Sequence, residues 1–313
     1  MAPHDHRPRW KTLLAFFIIY FVWGSTFIFI RIGVRELPPL LFAALRFLPA
    51  GLVLYGWMIV HGERSPTPRQ WLSATMLAAL IFVGDYGLLF WAEQRVPSGI
   101  AAVMLATIPA FMALSEIVLL GTQRLTLRLA FALLIGLGGV LVLVSHSLNL
   151  GGTPIDRTGA IALILASASW SVASILSRRM HLPPSKVMNA AAQMLAGGVL
   201  LCLISGALGE FRTLEVAHIS PRTWFALVYL IVFGSLIGFT AYVWLLHHES
   251  PTKVGTYAYV NPVVAVLLGY FLGGEPLGAR TILGTAFVLV SVLVITTTPV
   301  RKPVASLAVE DAT

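Results

Sequence analysis

Arg46 and Asp85 stand inside long apolar stretches of this chain. Each lies about seven residues from the same expected end of its stretch, roughly 10 Å deep at 1.5 Å per residue, so the two could pair. Charged side chains at such depth cost roughly 2.5–3.5 kcal/mol each on insertion scales and are normally paired or facing water. A guanidinium there can grip a carboxylate through two parallel hydrogen bonds, and a buried carboxyl can hold a proton. A structural ion pair joining two helices is the alternative. Glu116 lies nearer the end of its stretch, where its side chain can reach the interface, and reads as structural. An offset of 147 sets Gln193 opposite Arg46, an arrangement cationic toward one side.

Pro109 and Pro262 fall halfway along two further apolar stretches. Each removes one backbone donor and leaves the carbonyl four residues earlier, Leu105 or Ala258, without its helical partner. In lipid such a carbonyl must be packed against protein or line a watery space. Both prolines are therefore hinge candidates, with a packed kink as the alternative. Aromatic residues gather at similar depth: Trp23, Trp170, Tyr86 with its counterpart Phe239, then Tyr242, Tyr257 and Tyr259, with Asn261 beside Pro262. Aromatic walls with a few polar groups describe a permissive small-molecule site. Trp71 and Trp224 open their stretches and read as interfacial anchors. His247 and His248 read as solvated loop residues rather than proton carriers.

Other chemistries are excluded by what is missing. None of the four lysines, Lys11, Lys186, Lys253 and Lys302, closes a G-x-x-x-x-G-K-[ST] loop, and no H-E-x-x-H sequence appears. Cys202 is the single cysteine, which leaves no internal disulfide and no thiolate metal site. The expectation is a protein that is not an enzyme, with no catalytic residues, no cofactor and no metal.

The elements that must position these residues follow from composition. Of 313 residues, 58% are apolar and 11% charged, and the mean hydropathy is +0.86. A soluble domain carries about 25% charged residues, so this chain belongs in a lipid bilayer. Apolar spans are expected at 13–33, 39–60, 71–92, 97–119, 128–146, 158–177, 187–208, 223–245, 252–274 and 280–298. The first is read as a span rather than a cleaved leader, because it is long and has a partner later in the chain. The net charge of +8 is not taken as a sign of nucleic-acid binding. Thirteen basic residues fall on the side of the N-terminus and seven on the other, with Arg46 inside a span, which places both termini in the cytoplasm.

An internal repeat organises the spans. Trp23, Arg31 and Gly51 match Trp170, Arg178 and Gly198 at an offset of 147, and Trp71, Trp91 and Pro109 match Trp224, Trp244 and Pro262 at 153. Each repeat holds five spans, an odd number, so the second enters the membrane inverted. Inverted repeats with a midplane site between the halves are a transporter pattern. The expected fold is all-α integral membrane, ten transmembrane helices as two inverted five-helix repeats, 13–147 and 158–298, flanked by cytoplasmic tails 1–12 and 299–313. Close packing within the bundle, rather than dimerisation, is expected of Gly136, Gly138 and Gly139; the oligomeric state is left open.

Several local sequences carry a resemblance. Trp23-Gly24-Ser25-Thr26, Arg31-Ile32-Gly33, Pro38-Pro39-Leu40 and Arg46-Phe47 resemble the first two helices of EamA-type proteins in the drug/metabolite transporter superfamily. The runs 96–102 (VPSGIAA) and 257–265 (YAYVNPVVA) are similar to the YedA-like branch of inner-membrane exporters, and Gly273-Gly274-Glu275 is similar to the family's Gly-Glu signature. The resemblance implies a central cavity open alternately to each side. It also implies export of small organic metabolites, amino acids or drugs, usually tied to an ion gradient, with protons as a candidate. Trp23, Arg46, Glu275 and Asn261-Pro262 carry over. The first repeat departs from the pattern, with Thr122-Gln123-Arg124 where the second has Glu275, and Asp85 stands where a neutral polar residue is expected. The expected substrate-binding set is Trp23, Arg46, Asp85, Tyr86, Trp170, Gln193, Tyr242, Tyr257 and Asn261, with hinges at Pro109 and Pro262. An importer or exchanger is the first alternative, and a membrane enzyme acting on lipid-linked substrates the second.

Overall fold

A computed structural model of the chain describes residues 9–121, 126–144, 155–248 and 257–296. Every regular element among them is helical. Seven helices are long and apolar enough to cross a membrane: α1 (Trp10–Gly33), α2 (Pro39–Val60), α3 (Pro68–Ala92), α4 (Ser98–Leu119), α6 (Arg157–Arg179), α7 (Lys186–Ala207) and α8 (Pro221–Tyr242, continued by Gly238–His248). Three shorter apolar helices complete the described set: α5 (Leu127–Val144), α9 (Tyr257–Gly273) and α10 (Ala279–Thr296). Large apolar side chains face outward over these helices, Leu127 at 92% exposure and Val60 at 82% among them. In water such a surface would drive association; in hydrocarbon it costs nothing.

Helix starts follow local chemistry. Pro39, Pro68 and Pro221 open their helices, where a missing N–H is harmless. Thr67 and Gln70 form a reciprocal capping box that starts α3 at Pro68, three residues before the expected Trp71. Asp156, Ser185 and Ser220 accept backbone N–H groups at the starts of α6, α7 and α8.

Expected as plain spans, several helices are irregular at middle depth. Segments with i→i+5 bonding interrupt α1 at Ile18–Val22, α3 at Ala79–Gly87 and α8 at Leu230–Ile237. Such segments carry an extra residue per turn and are frequent at functional sites. Hydropathy alone does not register them. α4 breaks between Leu105 and Ile108, just before Pro109, and Pro49 lies inside α2.

Two seams join the halves of the chain, and both are reciprocal. A Cβ added to Gly51 would meet Leu195 N at 2.7 Å, and one added to Gly198 would meet Leu48 N at 2.8 Å. The offset of 147 exchanges these contacts, so α2 and α7 present the same face to each other. α5 and α10 repeat the device: Gly136 lies against Ser291, Gly139 against Gly284 and Val288, and the Ser291 hydroxyl donates to Ala132 O at 2.6 Å. Gly138 has nothing within 4 Å, so two of the three glycines serve packing inside the bundle.

One end of the bundle, opposite the start of α1, is laced between the halves by carboxylates. Glu36 accepts from Ser220 N at 2.8 Å. Glu210 accepts from Leu41 N at 2.8 Å and from the Ser205 hydroxyl, and Glu275 accepts from Ser98 N, the Ser98 hydroxyl and Gly99 N. Gly209 (φ 78°) and Gly274 (φ 64°) turn the chain in the left-handed region so that the next residue reaches back. At the other end, the described caps of α3, α5 and α7 are local, and a 3.6 Å ion pair between Arg178 and Glu116 joins α6 to α4.

Candidate functional site

Arg46 is 2% exposed, on α2, where it faces the irregular segment of α8. Its Nε donates to Ser235 Oγ at 3.1 Å. The guanidinium lies over the rings of Phe47 at 4.6 Å and Tyr86 at 5.2 Å. Gly234 makes room for it, since a Cβ there would stand 3.1 Å from Nη2. Its Nη1 is buried with no hydrogen-bond partner. Trp23 joins the same segment, its indole donating to Gly234 O at 3.1 Å, and it packs on Gly238.

Rings gather around this point. Trp23 contacts Tyr242 at 5.1 Å and Tyr257 at 5.4 Å, and Tyr242 meets Tyr257 at 6.2 Å. Tyr86 meets Phe47 at 4.6 Å and Trp170 at 6.0 Å. Trp23, Tyr86, Trp170, Tyr242 and Tyr257 are all half-buried. These rings meet one another across α1, α3, α6, α8 and α9.

The pairing of Arg46 with Asp85 is corrected by the structure: no ion pair within 4.0 Å joins them. Asp85 stands within the wide turn at Ala79–Gly87, and it is the next residue, Tyr86, whose ring lies against the guanidinium. The ionisable groups within electrostatic reach of Arg46 are instead Tyr86 and Glu93. Asp85 is 2% exposed, with Oδ1 lacking any partner, and lies within electrostatic reach of Tyr257. Two opposite charges are thus buried near one ring cluster and kept apart.

The other expected residues fall in different places. Gln193 is half-buried on α7 and donates to Asn189 at 2.9 Å. Asn261 is buried on α9, its amide nitrogen donating to Tyr20 O at 2.9 Å and Ile19 O at 3.2 Å, carbonyls of the irregular segment of α1. It ties α9 to the wide turn of α1. Pro109 opens the second half of the broken α4, while Pro262 lies in the second turn of an unbroken helix. A proline near a helix start has no clashing turn behind it, so the two candidate hinges are not equivalent. Trp224 is 44% exposed at the start of α8, where an interfacial anchor belongs. The side chains of Tyr259, His247 and His248, and all of Thr122-Gln123-Arg124, lie outside the described residues.

Sequence reasoning passed over Gly234, Ser235 and Glu93. Gly234-Ser235 was legible as a small polar pair amid apolar residues, opposite a span carrying a charge. Glu93 follows directly on a span and reads as an interfacial residue.

Comparison with known proteins agrees with this architecture. The model of the EamA-like transporter family matches residues 10–145 and 157–297. The chain is 39% identical to YedA, an uncharacterized inner membrane transporter of Escherichia coli, over 97% of this chain and 99% of that one. It is 28% identical to a probable amino-acid metabolite efflux pump of Salmonella typhimurium, over 87% and 90% respectively. A solved crystal structure of a protein superposes with a TM-score of 0.60 at 23% identity, covering 92% of this chain and 96% of the other, and speaks to the fold. The chain belongs to the EamA-like transporter family of the drug/metabolite transporter superfamily.

Proposed function

We propose that this protein is a secondary transporter of the cytoplasmic membrane that exports small organic metabolites, amino acids or drugs by alternating access. In this reading ten transmembrane helices form two inverted repeats, 13–147 and 158–298, with both termini cytoplasmic. The observation that carries it is Arg46, a buried guanidinium with an unpartnered Nη1 and, among the described residues, no carboxylate within 4.0 Å, set beside a cluster of half-buried rings. An uncompensated buried cation costs several kcal/mol. It is retained because a solute's anionic group completes it during each cycle. Trp23, Tyr86, Trp170, Tyr242 and Tyr257 enclose the apolar part of the solute, Asp85 faces a cationic or hydroxyl group, and Gln193 and Asn261 border the site from α7 and α9.

Alternation between two closed ends is supported by the caps. The carboxylate latches hold the end opposite the N-terminus. At an offset of 147, Gly62-Glu63 corresponds to Gly209-Glu210, and Gly62 has the same left-handed turn with φ 85°. Glu63 is exposed and makes no such cap. In the opposite state Glu63 caps the start of α7 as Glu210 here caps α2.

The test is counterflow into proteoliposomes with labelled amino acids and cationic drugs. Amino-acid exchange that fails in Arg46→Ala supports the reading. Drug movement indifferent to Arg46 removes its role at the solute, and exchange of neither class overturns the transport function.

A further inference from the structure

Glu93 sits one residue beyond the end of α3 and is 0% exposed. Neither of its carboxyl oxygens has a hydrogen-bond partner. Its charged neighbours are Glu275 from the α9–α10 connection, Arg31 from α1 and Arg46 from α2. Arg31 does not engage the carboxyl: its Nη1 donates to the backbone carbonyl of Glu93, and its Nε is buried without a partner. Glu275 is fully occupied by three donors at the start of α4. α6 packs against this corner through Gly159, whose added Cβ would touch Val96, and its Asp156 is turned to Thr158 and Gly159 N.

The contrast between the two glutamates is chemical. Three donors, two of them backbone N–H groups, occupy both carboxyl oxygens of Glu275. An ionised Glu93 would have no protein donor at either oxygen and a second carboxylate nearby, an unfavourable arrangement for a buried charge. Burial, and after it the charge of Glu275, pushes the Glu93 carboxyl well above the usual carboxylate range, with Arg31 and Arg46 opposing.

Resting on the transport reading, we propose that Glu93 is the proton-binding site of the cycle, protonated while this end is latched and deprotonated when it opens. On opening, the Glu275 cap releases Ser98 and Gly99 and water enters. The carboxyl O–H bond breaks, the proton passes to water, and the Arg31 guanidinium turns from the backbone carbonyl to the new carboxylate. Closure runs the steps backward and the carboxylate regains a proton from the same side. No net proton crosses, and the opening of this end is tied to the pH of the compartment it faces. Asp85 stays with the solute among the rings, and the two buried carboxyls have separate tasks.

Infrared spectroscopy of the full-length protein in nanodiscs at neutral pH tests the protonation without a solute. The expected result is a protonated-carboxyl stretch with a component that disappears in Glu93→Gln and remains in Asp85→Asn. No loss of that band in Glu93→Gln overturns the proposal. In proteoliposomes, wild-type exchange of labelled amino acids is expected to depend on the pH of the compartment facing this end, and Glu93→Gln to keep exchange while losing that dependence at least tenfold. A pH dependence equal to wild type in Glu93→Gln overturns the proton site. So does a wild-type protein that exchanges solute yet ignores that pH, which leaves the transport reading standing. A wild-type protein that exchanges nothing overturns the transport reading, and with it the cycle proposed for Glu93. Should glutamine unsettle the fold, Glu93→Asp keeps the carboxyl and is expected to keep the dependence with a shifted midpoint; an unchanged midpoint counts against the site.

Discussion

The Arg46 guanidinium rests against the bare backbone of Gly234, in space that a Cβ at 3.1 Å would enter. Because Ser235 holds Nε from the next position, the two small residues set both where the cation sits and how it points. Gly234→Ala is expected to lower amino-acid exchange several-fold, and Gly234→Val to abolish it, with membrane insertion unchanged. Exchange at the wild-type rate in Gly234→Val would show that Arg46 can be displaced without consequence.

Removing Arg46 should separate function from stability. Taking away a buried unpaired charge relieves its desolvation cost, so Arg46→Leu is expected to melt at or above the wild-type temperature while losing exchange of carboxylate-bearing solutes at least tenfold. Arg46→Lys should not rescue, because an ammonium lacks the planar fork that grips a carboxylate and stacks on Phe47 and Tyr86. A melting temperature several degrees lower in Arg46→Leu would assign Arg46 to the scaffold.

The α5–α10 seam offers a matched pair of substitutions. A Cβ at Gly139 would stand 2.9 Å from Gly284 O, while one at Gly138 meets nothing within 4 Å. Overpacking costs about 1–3 kcal/mol, so Gly139→Ala should reduce thermal stability clearly. Gly138→Ala should be neutral or stabilising by up to about 1 kcal/mol through helix propensity. Equal melting temperatures for the two variants would contradict the packing described.

Glu275 holds the start of α4 by three donors. Glu275→Ala is expected to cost about 1–2 kcal/mol as a lost cap and to favour the state open at this end. A cysteine placed at Ser98 should then react faster with a membrane-impermeant maleimide than it does beside an intact Glu275. Labelling at the same rate in both backgrounds would mean that Glu275 does not hold this end shut.

Loss of Glu63 should act on the opposite state. Glu63→Ala leaves the present caps untouched, so it is expected to slow exchange several-fold with little change in melting temperature. Glu210→Ala removes a formed cap and should lower both. Wild-type exchange in Glu63→Ala would sever the correspondence between Gly62-Glu63 and Gly209-Glu210.

Much of this was legible in the residues themselves. Hydropathy placed the helices within a few positions, because an unbroken apolar run has no stable alternative in lipid to bonding its own backbone. The offset of 147 paired Gly51 with Gly198, and the structure sets the two in equivalent contacts, against Leu195 and Leu48. Arg46 and Asp85 were legible as charges within apolar spans, and both are buried inside helices long enough to cross a membrane. Their pairing was not, because azimuth is cumulative: one wide turn at Ala79–Gly87 reorients every residue after it, and nothing in composition marks that turn. Only the tertiary structure could set Arg46 against Gly234, leave Glu93 without a donor beside an occupied Glu275, and employ Asn261 on the carbonyls of α1. Each of these depends on which helix lies opposite and which of its faces is turned inward. Long-range packing decides both, and a local pattern of residue types carries no record of it.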